Sequence, residues 1–271
     1  MLHHVENSTT AKIGQSLATV IADTYYNTRI TTLELVYPRY IHSELMTHRV
    51  FSRNASSSRA TPIEVLLKEV REDPVFFDFV GKNCKGMVAS EPLCSLELAE
   101  FKRDWYELAR MVADKVEYMS TLYEVHKQTL NRALEPFSRI RTLVTATDWV
   151  NFFKLRLAPD AQPEMHNLAL AIKQAMALSD TKKSAVHIPY VTERGLDTKT
   201  AMLVSAARCA RVSYARHDGK PTDIDADLEL SKRLLKAGHL SPFEHMATAT
   251  EGADRYANFK GWRSYRNQMG Y

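Results

Sequence analysis

Residues 47–60 read THRVFSRNASSSRA, placing three arginines, one histidine, one asparagine and four serines in fourteen positions. A guanidinium binds phosphate or carboxylate through paired N–H donors, and serine hydroxyls with successive backbone N–H groups complete an anion nest. The run SSSR, residues 56–59, has that character, and His48–Arg49 just upstream offers donors for a second anionic group. A solvated polar loop whose arginines only cap helix ends has the same composition, so residue types alone leave both readings open.

Two further arginines bear on the choice. Arg132 in LNRALEP and Arg156 in FFKLRLAPDAQPE sit in apolar stretches, where an unpaired guanidinium is costly. Each needs a partner: a bound phosphate, carbonyl groups, or an internal carboxylate such as Glu135 or Glu164. The turn GHLSPFEH carries His239 and His245 beside Glu244. It has no HExxH or paired metal-ligand spacing, and a structural turn explains it equally well. No GxGxxG, P-loop or nucleophile-elbow motif occurs.

These residues need elements to position them. ITTLELVYP alternates so that Leu33, Leu35 and Tyr37 share one strand face, ended by Pro38. RYIHSELMTHR reads as a short helix entering the arginine–serine stretch, itself expected to be a loop. TPIEVLLKEVRED restarts a helix. The strongest helical signal is LELAEFKRDWYELARMVADKVEYMSTLYEV, with Phe101, Trp105, Leu108, Val112, Val116 and Met119 as its apolar stripe. TLVTAT reads as a strand, and a short helix follows with Asp148 as N-cap. PEMHNLALAIKQAMAL, TAMLVSAARCARVSY and DIDADLELSKRLLKAG are helical, the last stopping at Gly238. The expected class is α+β, with a mixed or antiparallel central sheet and long flanking helices.

Composition sets outer limits. The chain has 271 residues, 45% of them hydrophobic, and a formal charge of +4. That charge is too small and scattered for a general nucleic-acid binder. Three cysteines, Cys84, Cys94 and Cys209, form neither a metal spacing nor a closed disulfide set, so a reducing cytoplasm is expected. The start MLHHVENSTTAK is no signal peptide, and no run approaches the roughly 18 apolar residues of a membrane span.

At this point the residues meet a known family. HRVFSRNASSSR resembles the signature of flavin-dependent thymidylate synthases, an arginine–histidine–arginine triplet followed by a serine and an arginine. NFFKLRLAPDAQPEM is similar to a second signature, and ARVSY (210–214) and LLKAGHLSPFEH (234–245) to a third and fourth. In the family the last two come first, so the resemblance implies a circularly permuted order within one domain spanning 1–271. Residues 1–180 would form the arginine-loop and nucleotide-binding portion, and 196–271 the permuted flavin-binding portion.

The resemblance implies roles residue by residue. His48, Arg49, Asn151, Ser213 and His245 would hold FAD. Glu44, Ser57, Ser58, Arg59, Arg132 and Arg156 would bind dUMP, with catalytic roles for Arg156 and Ser57. The implied reaction moves a one-carbon unit from methylenetetrahydrofolate to C5 of dUMP, with NADPH as reductant and no metal, in a homotetramer with shared active sites. Alternatives are a dUMP hydroxymethylase of the same family and a non-catalytic nucleotide- or flavin-binding protein. The sequence departs from the pattern at Thr47, Ala55 and Ala60, Glu44 stands where glutamine is usual, and NFKGWRSYRNQMGY has no counterpart.

Overall fold

A computed structural model describes residues 9–212 and 223–271. In chain order the strands and helices begin with β1 (Thr10–Ile13), β2 (Ser16–Tyr25), β3 (Arg29–Pro38), α1 (His42–Leu45) and β4 (Ser52–Ala55). Next come α2 (Ile63–Glu72), α3 (Ser95–Tyr123), α4 (Lys127–Leu134), β5 (Arg139–Ala146), α5 (Val150–Arg156) and α6 (Pro163–Leu178). Then follow β6 (Lys182–Lys183), β7 (Val186–His187), α7 (Thr198–Ala210), α8 (Ile224–Lys236), β8 (Ala247–Ala249), β9 (Arg255–Tyr256), β10 (Phe259–Lys260), β11 (Trp262–Ser264) and α9 (Tyr265–Gln268). The expected α+β class holds.

The central sheet runs β1-β2-β3-β5-β4, antiparallel throughout, with β6 added parallel to β2. Its first turn needs Gly14, where φ is +53° and a Cβ would lie 2.6 Å from the Asp78 carboxylate. Strand alternation then sorts the two faces. Leu33, Leu35 and Tyr37 of β3, all fully buried, join Ile140 and Val144 of β5 against Met165, Leu168 and Ile172 of α6. Burying each such side chain is worth about 1.5–3 kcal/mol, which makes this face the main source of stability.

The opposite face is polar. Thr32 and Glu34 of β3 and Thr145 of β5 are buried there beside Leu143, under Tyr190, Phe243, Met246 and helices α7 and α8. Tyr190 donates its hydroxyl to Glu34 at 2.8 Å. In the covering layer, Asp227 accepts from Arg208 at 2.9 Å and from Arg211 at 2.7 Å. Both helices start on an aspartate, Asp197 and Asp223, whose carboxylate accepts from a backbone N–H of the first turn that would otherwise lack a partner.

A third cluster joins α2, α3 and α4. Here the expected α3 stripe holds at Trp105, Val112, Val116 and Met119, which pack into the cluster, and needs correction at Phe101 and Leu108. The fully buried positions are Ala109, Ala113 and Val116, whereas Phe101 and Leu108 are exposed. Small residues let α3 approach α2 and α4 closely. Two other expectations change. Part of the arginine–serine stretch is strand β4 followed by a 3-10 turn at Ser58–Ala60. Trp149 rather than Asp148 precedes α5, and Asp148 pairs with Arg255 and Lys260 at 3.0 Å each.

Candidate functional site

The arginine-bearing residues gather at the two ends of edge strand β4. At its start, α5 brings Phe152 and Arg156, four residues apart, onto one helix face. Phe152 is buried edge-on against the His48 ring, with centroids 4.9 Å apart, and Phe51 stacks on the same ring at 5.7 Å. Arg156 thereby reaches three groups. Its Nε donates to His48 Nε2 at 2.8 Å, its Nη2 to Thr47 Oγ1 at 3.1 Å, and its Nη1 to the Glu44 carboxylate on α1.

A guanidinium can only donate, so His48 Nε2 must accept and the ring carries its hydrogen on Nδ1. Burial, then the charges of Arg156 and Arg53, push the His48 pKa down to about 4, which keeps the ring neutral near pH 7. Thr47, the departure from the family triplet, serves as an acceptor for Arg156. Arg156 is paired with Glu44 here, and Glu164 instead accepts from the Asp78 backbone N–H at 3.0 Å.

Arg53 is accounted for structurally. It donates to the carbonyls of Met46 at 2.9 Å and His48 at 3.1 Å, tying off the loop after α1. Arg49 is exposed beside His48, and Asn151 is exposed beside Phe152. The His48–Phe152 contact therefore brings these two residues to the same region, and neither has a partner among the described residues.

The second cluster follows β4, which at four residues spans about 13 Å. Ser58 donates to Glu135 at 2.5 Å, and Arg132 donates to the same carboxylate at 2.9 Å. Arg132 is not in apolar surroundings, since its side chain is 58% exposed. Arg59 is exposed and Ser57 half-buried. Asn131 holds the turn, donating to the carbonyls of Ser58 at 2.7 Å and Thr61 at 3.0 Å. Sequence reading missed this residue, although Asn131 lies in helical phase with the buried Leu134 on the inner side of α4.

The remaining expected residues lie elsewhere. His245 is fully buried under the polar face of the sheet, with Nδ1 2.8 Å from Thr145 Oγ1. It does not join the His48 cluster. Ser213 lies outside the described residues. Cys209 is buried in α7, and Cys84 and Cys94 are exposed.

No curated protein sequence matches the chain. Among solved structures, a UMP/dUMP methylase PolB from Streptomyces cacaoi bound with 5-Br UMP is similar at 16% identity and a TM-score of 0.44, over 55% of this chain and 68% of that one. Thymidylate Synthase X from Helicobacter pylori with FAD and dUMP is similar at 19% identity and a TM-score of 0.37, over 54% and 67%. Residues 23–178 match the family model described as thymidylate synthase complementing protein. That segment holds both ends of β4, with Glu44, His48, Arg59, Arg132 and Arg156 all inside it, and so the chain belongs to the flavin-dependent thymidylate synthase family.

Proposed function

We propose that the chain is a flavin-dependent thymidylate synthase that transfers a one-carbon unit from methylenetetrahydrofolate to C5 of dUMP. The observation that carries this is the holding of Arg156 by Glu44, His48 and Thr47 at one end of β4, with the exposed cations of the second cluster at the other. The four contacts of Arg156 leave one of its five N–H groups for a ligand. A guanidinium fixed in place stabilises negative charge developing on a bound ring without reorganising during reaction. We assign Arg59 and Arg132 to the nucleotide phosphate, with the Ser57 hydroxyl as a further donor. Ser58 contributes by positioning Glu135.

The residues present fit a flavin dinucleotide. Arg49 and Asn151 are exposed donors with no described partner, brought to one region by the His48–Phe152 contact, and suit a diphosphate. FAD, when bound and reduced at the expense of NADPH, supplies the hydride that turns the transferred methylene into a methyl group. His48 stays neutral and orients Arg156. His245 and Ser213 are assigned to the flavin on the motif resemblance alone.

We further assign the segments ARVSY and LLKAGHLSPFEH to a permuted flavin-binding portion, a reading supported by their position after the matched segment. A homotetramer is supported by α3, which exposes Leu96, Leu108, Met111, Tyr118 and Leu122. The exposed thiols of Cys84 and Cys94 suit a reducing cytoplasm.

The test is spectroscopic and then chemical. Purified protein is expected to be yellow, with a flavin spectrum that shifts when dUMP is added, and to release tritium from dUMP labelled at C5. Colourless protein that releases none overturns the proposal in favour of a non-catalytic binder. Mass analysis of the product separates dTMP from the hydroxymethyl nucleotide, which is about 16 mass units heavier because it keeps one more oxygen.

A further inference from the structure

A continuous line of buried hydrogen bonds crosses the polar face of the sheet, at right angles to its strands. Thr24 of β2 meets His187 Nδ1 at 2.8 Å, and Nε2 of the same ring meets Thr32 of β3 at 2.8 Å. Thr32 meets Thr145 of β5 at 2.6 Å, and Thr145 meets His245 Nδ1 at 2.8 Å. Thr24 is 6% exposed and the other four residues are fully buried. The line opens at one end on a cavity of about 950 Å³ that Thr24 lines with Val20, Asp23, Lys182, Val186 and Ile188. It stops at the other end on His245 Nε2, a buried ring nitrogen with no partner among the described residues.

Counting hydrogens restricts this line to two states. Burial holds both imidazoles far below the ordinary histidine pKa, each at about 3, so both rings are neutral at pH 7. Five groups then carry five polar hydrogens for four links. The hydroxyls of Thr32 and Thr145 have no acceptor outside the line among the described residues, so each must donate within it. Separations of 2.6–2.8 Å exclude both an empty and a doubly filled position at each of the four links. All links therefore point the same way. Directed toward His245, they leave Nε2–H as an unpaired donor; directed toward Thr24, they leave Nε2 as an open acceptor and turn the Thr24 hydroxyl to the cavity.

We propose that this line is a proton path between the cavity and His245. When a base beside His245, water or a bound ligand, takes the Nε2 hydrogen, Nδ1 takes the hydrogen of Thr145. Thr145 then takes that of Thr32, Thr32 takes the Nε2 hydrogen of His187, and His187 Nδ1 takes that of Thr24. Thr24 is refilled by cavity water. Each oxygen and each ring ends with one hydrogen, the line ends in its second direction, and one proton has moved with no charge left inside. Nothing in this depends on the activity proposed above.

The test uses the full chain labelled with ¹⁵N-histidine, reading exchange of the His245 ring hydrogen with D₂O at pH 7. Glutamine at 187 can still accept from one threonine and donate to the other, but an amide cannot take a proton on one atom while releasing it from the other. His187→Gln and Thr24→Val are each expected to slow the exchange about tenfold or more, with backbone amide exchange of β3 and β5 unchanged. Exchange in Thr24→Val at the wild-type rate overturns the path, whatever His187→Gln does. So does wild-type exchange as slow as global unfolding.

Discussion

Four contacts occupy the guanidinium of Arg156, and they come from residues more than one hundred positions away in the chain. Replacing it with alanine removes the one N–H left for a charge-assisted hydrogen bond to the proposed nucleotide, worth about 1.5–3 kcal/mol. Arg156→Ala should therefore weaken dUMP binding by roughly tenfold to a hundredfold, read by titration calorimetry, while flavin absorbance is retained. Arg156→Lys should not restore it, because a point charge cannot bond His48, Thr47 and Glu44 together. Loss of flavin with dUMP affinity intact would reverse the assignment. Asn131→Ala should cost about 1–3 kcal/mol in urea denaturation, since two carbonyls in the Ser58 turn lose their donor. At this scale the sequence named Glu135, which Arg132 does pair with, but it put Arg132 in apolar surroundings and did not find the partner of Arg156. Arg156 could be matched with Glu164 from eight residues' separation, but tertiary packing delivers Glu44 instead, and composition cannot distinguish the capping Arg53 from the exposed Arg49 and Arg59.

Among the elements, α3 shows where pattern reading succeeds and where it slips. Its extent follows from unbroken helical residues, but alanines share its inner face with the larger apolar side chains. A stripe counted on large apolar residues finds Trp105, Val112, Val116 and Met119, which pack into this cluster, but passes over Ala109 and Ala113, both fully buried. Leucine at Ala113 should overpack the α2–α3–α4 cluster and lower stability by about 1–3 kcal/mol, seen as a reduced urea midpoint. Glutamate at Leu108, which is exposed, should leave that midpoint within about 0.5 kcal/mol; any tetramer resting on this face would separate in sedimentation analysis. The legible strands were β3, by its alternation, and the body of β5, by its β-branched residues. β4 was read as a loop because Ser52, Arg53 and Asn54 lack any apolar signal and are held by β5. β2 escaped because its register shifts between Val20 and Ala22, which breaks the period of two.

For the molecule as a whole, three buried neutral histidines govern the response to acid. His48 titrates at about 4, and His187 and His245 at about 3, against about 6.5 in an unfolded chain. Between these values the unfolded chain binds protons that the folded one refuses, so stability rises with pH up to about 6.5 and falls as pH drops below it. Each ring contributes up to about 1.4 kcal/mol per pH unit in that window. Urea midpoints should be nearly level from pH 7 to 8 and drop steeply toward pH 5; a flat curve down to pH 4 would show that these rings take up protons without unfolding. The α+β class and the arginine-loop motif were legible in the sequence. The polar sheet face was not, because its histidines and threonines come from distant segments that meet only after folding. One closing contact extends that distance further. Trp262 and Thr28 bond across 234 positions, Asn27 holds the carbonyls of Thr250 and Glu251, and Ile30 is buried against Trp262 and Phe259. During synthesis the β2–β3 hairpin thus emerges with its tip bare and waits for a partner made more than two hundred residues later. Until then Ile30 is an exposed apolar edge, the point where a nascent chain is most open to chaperones or to pairing with a neighbour on the same messenger.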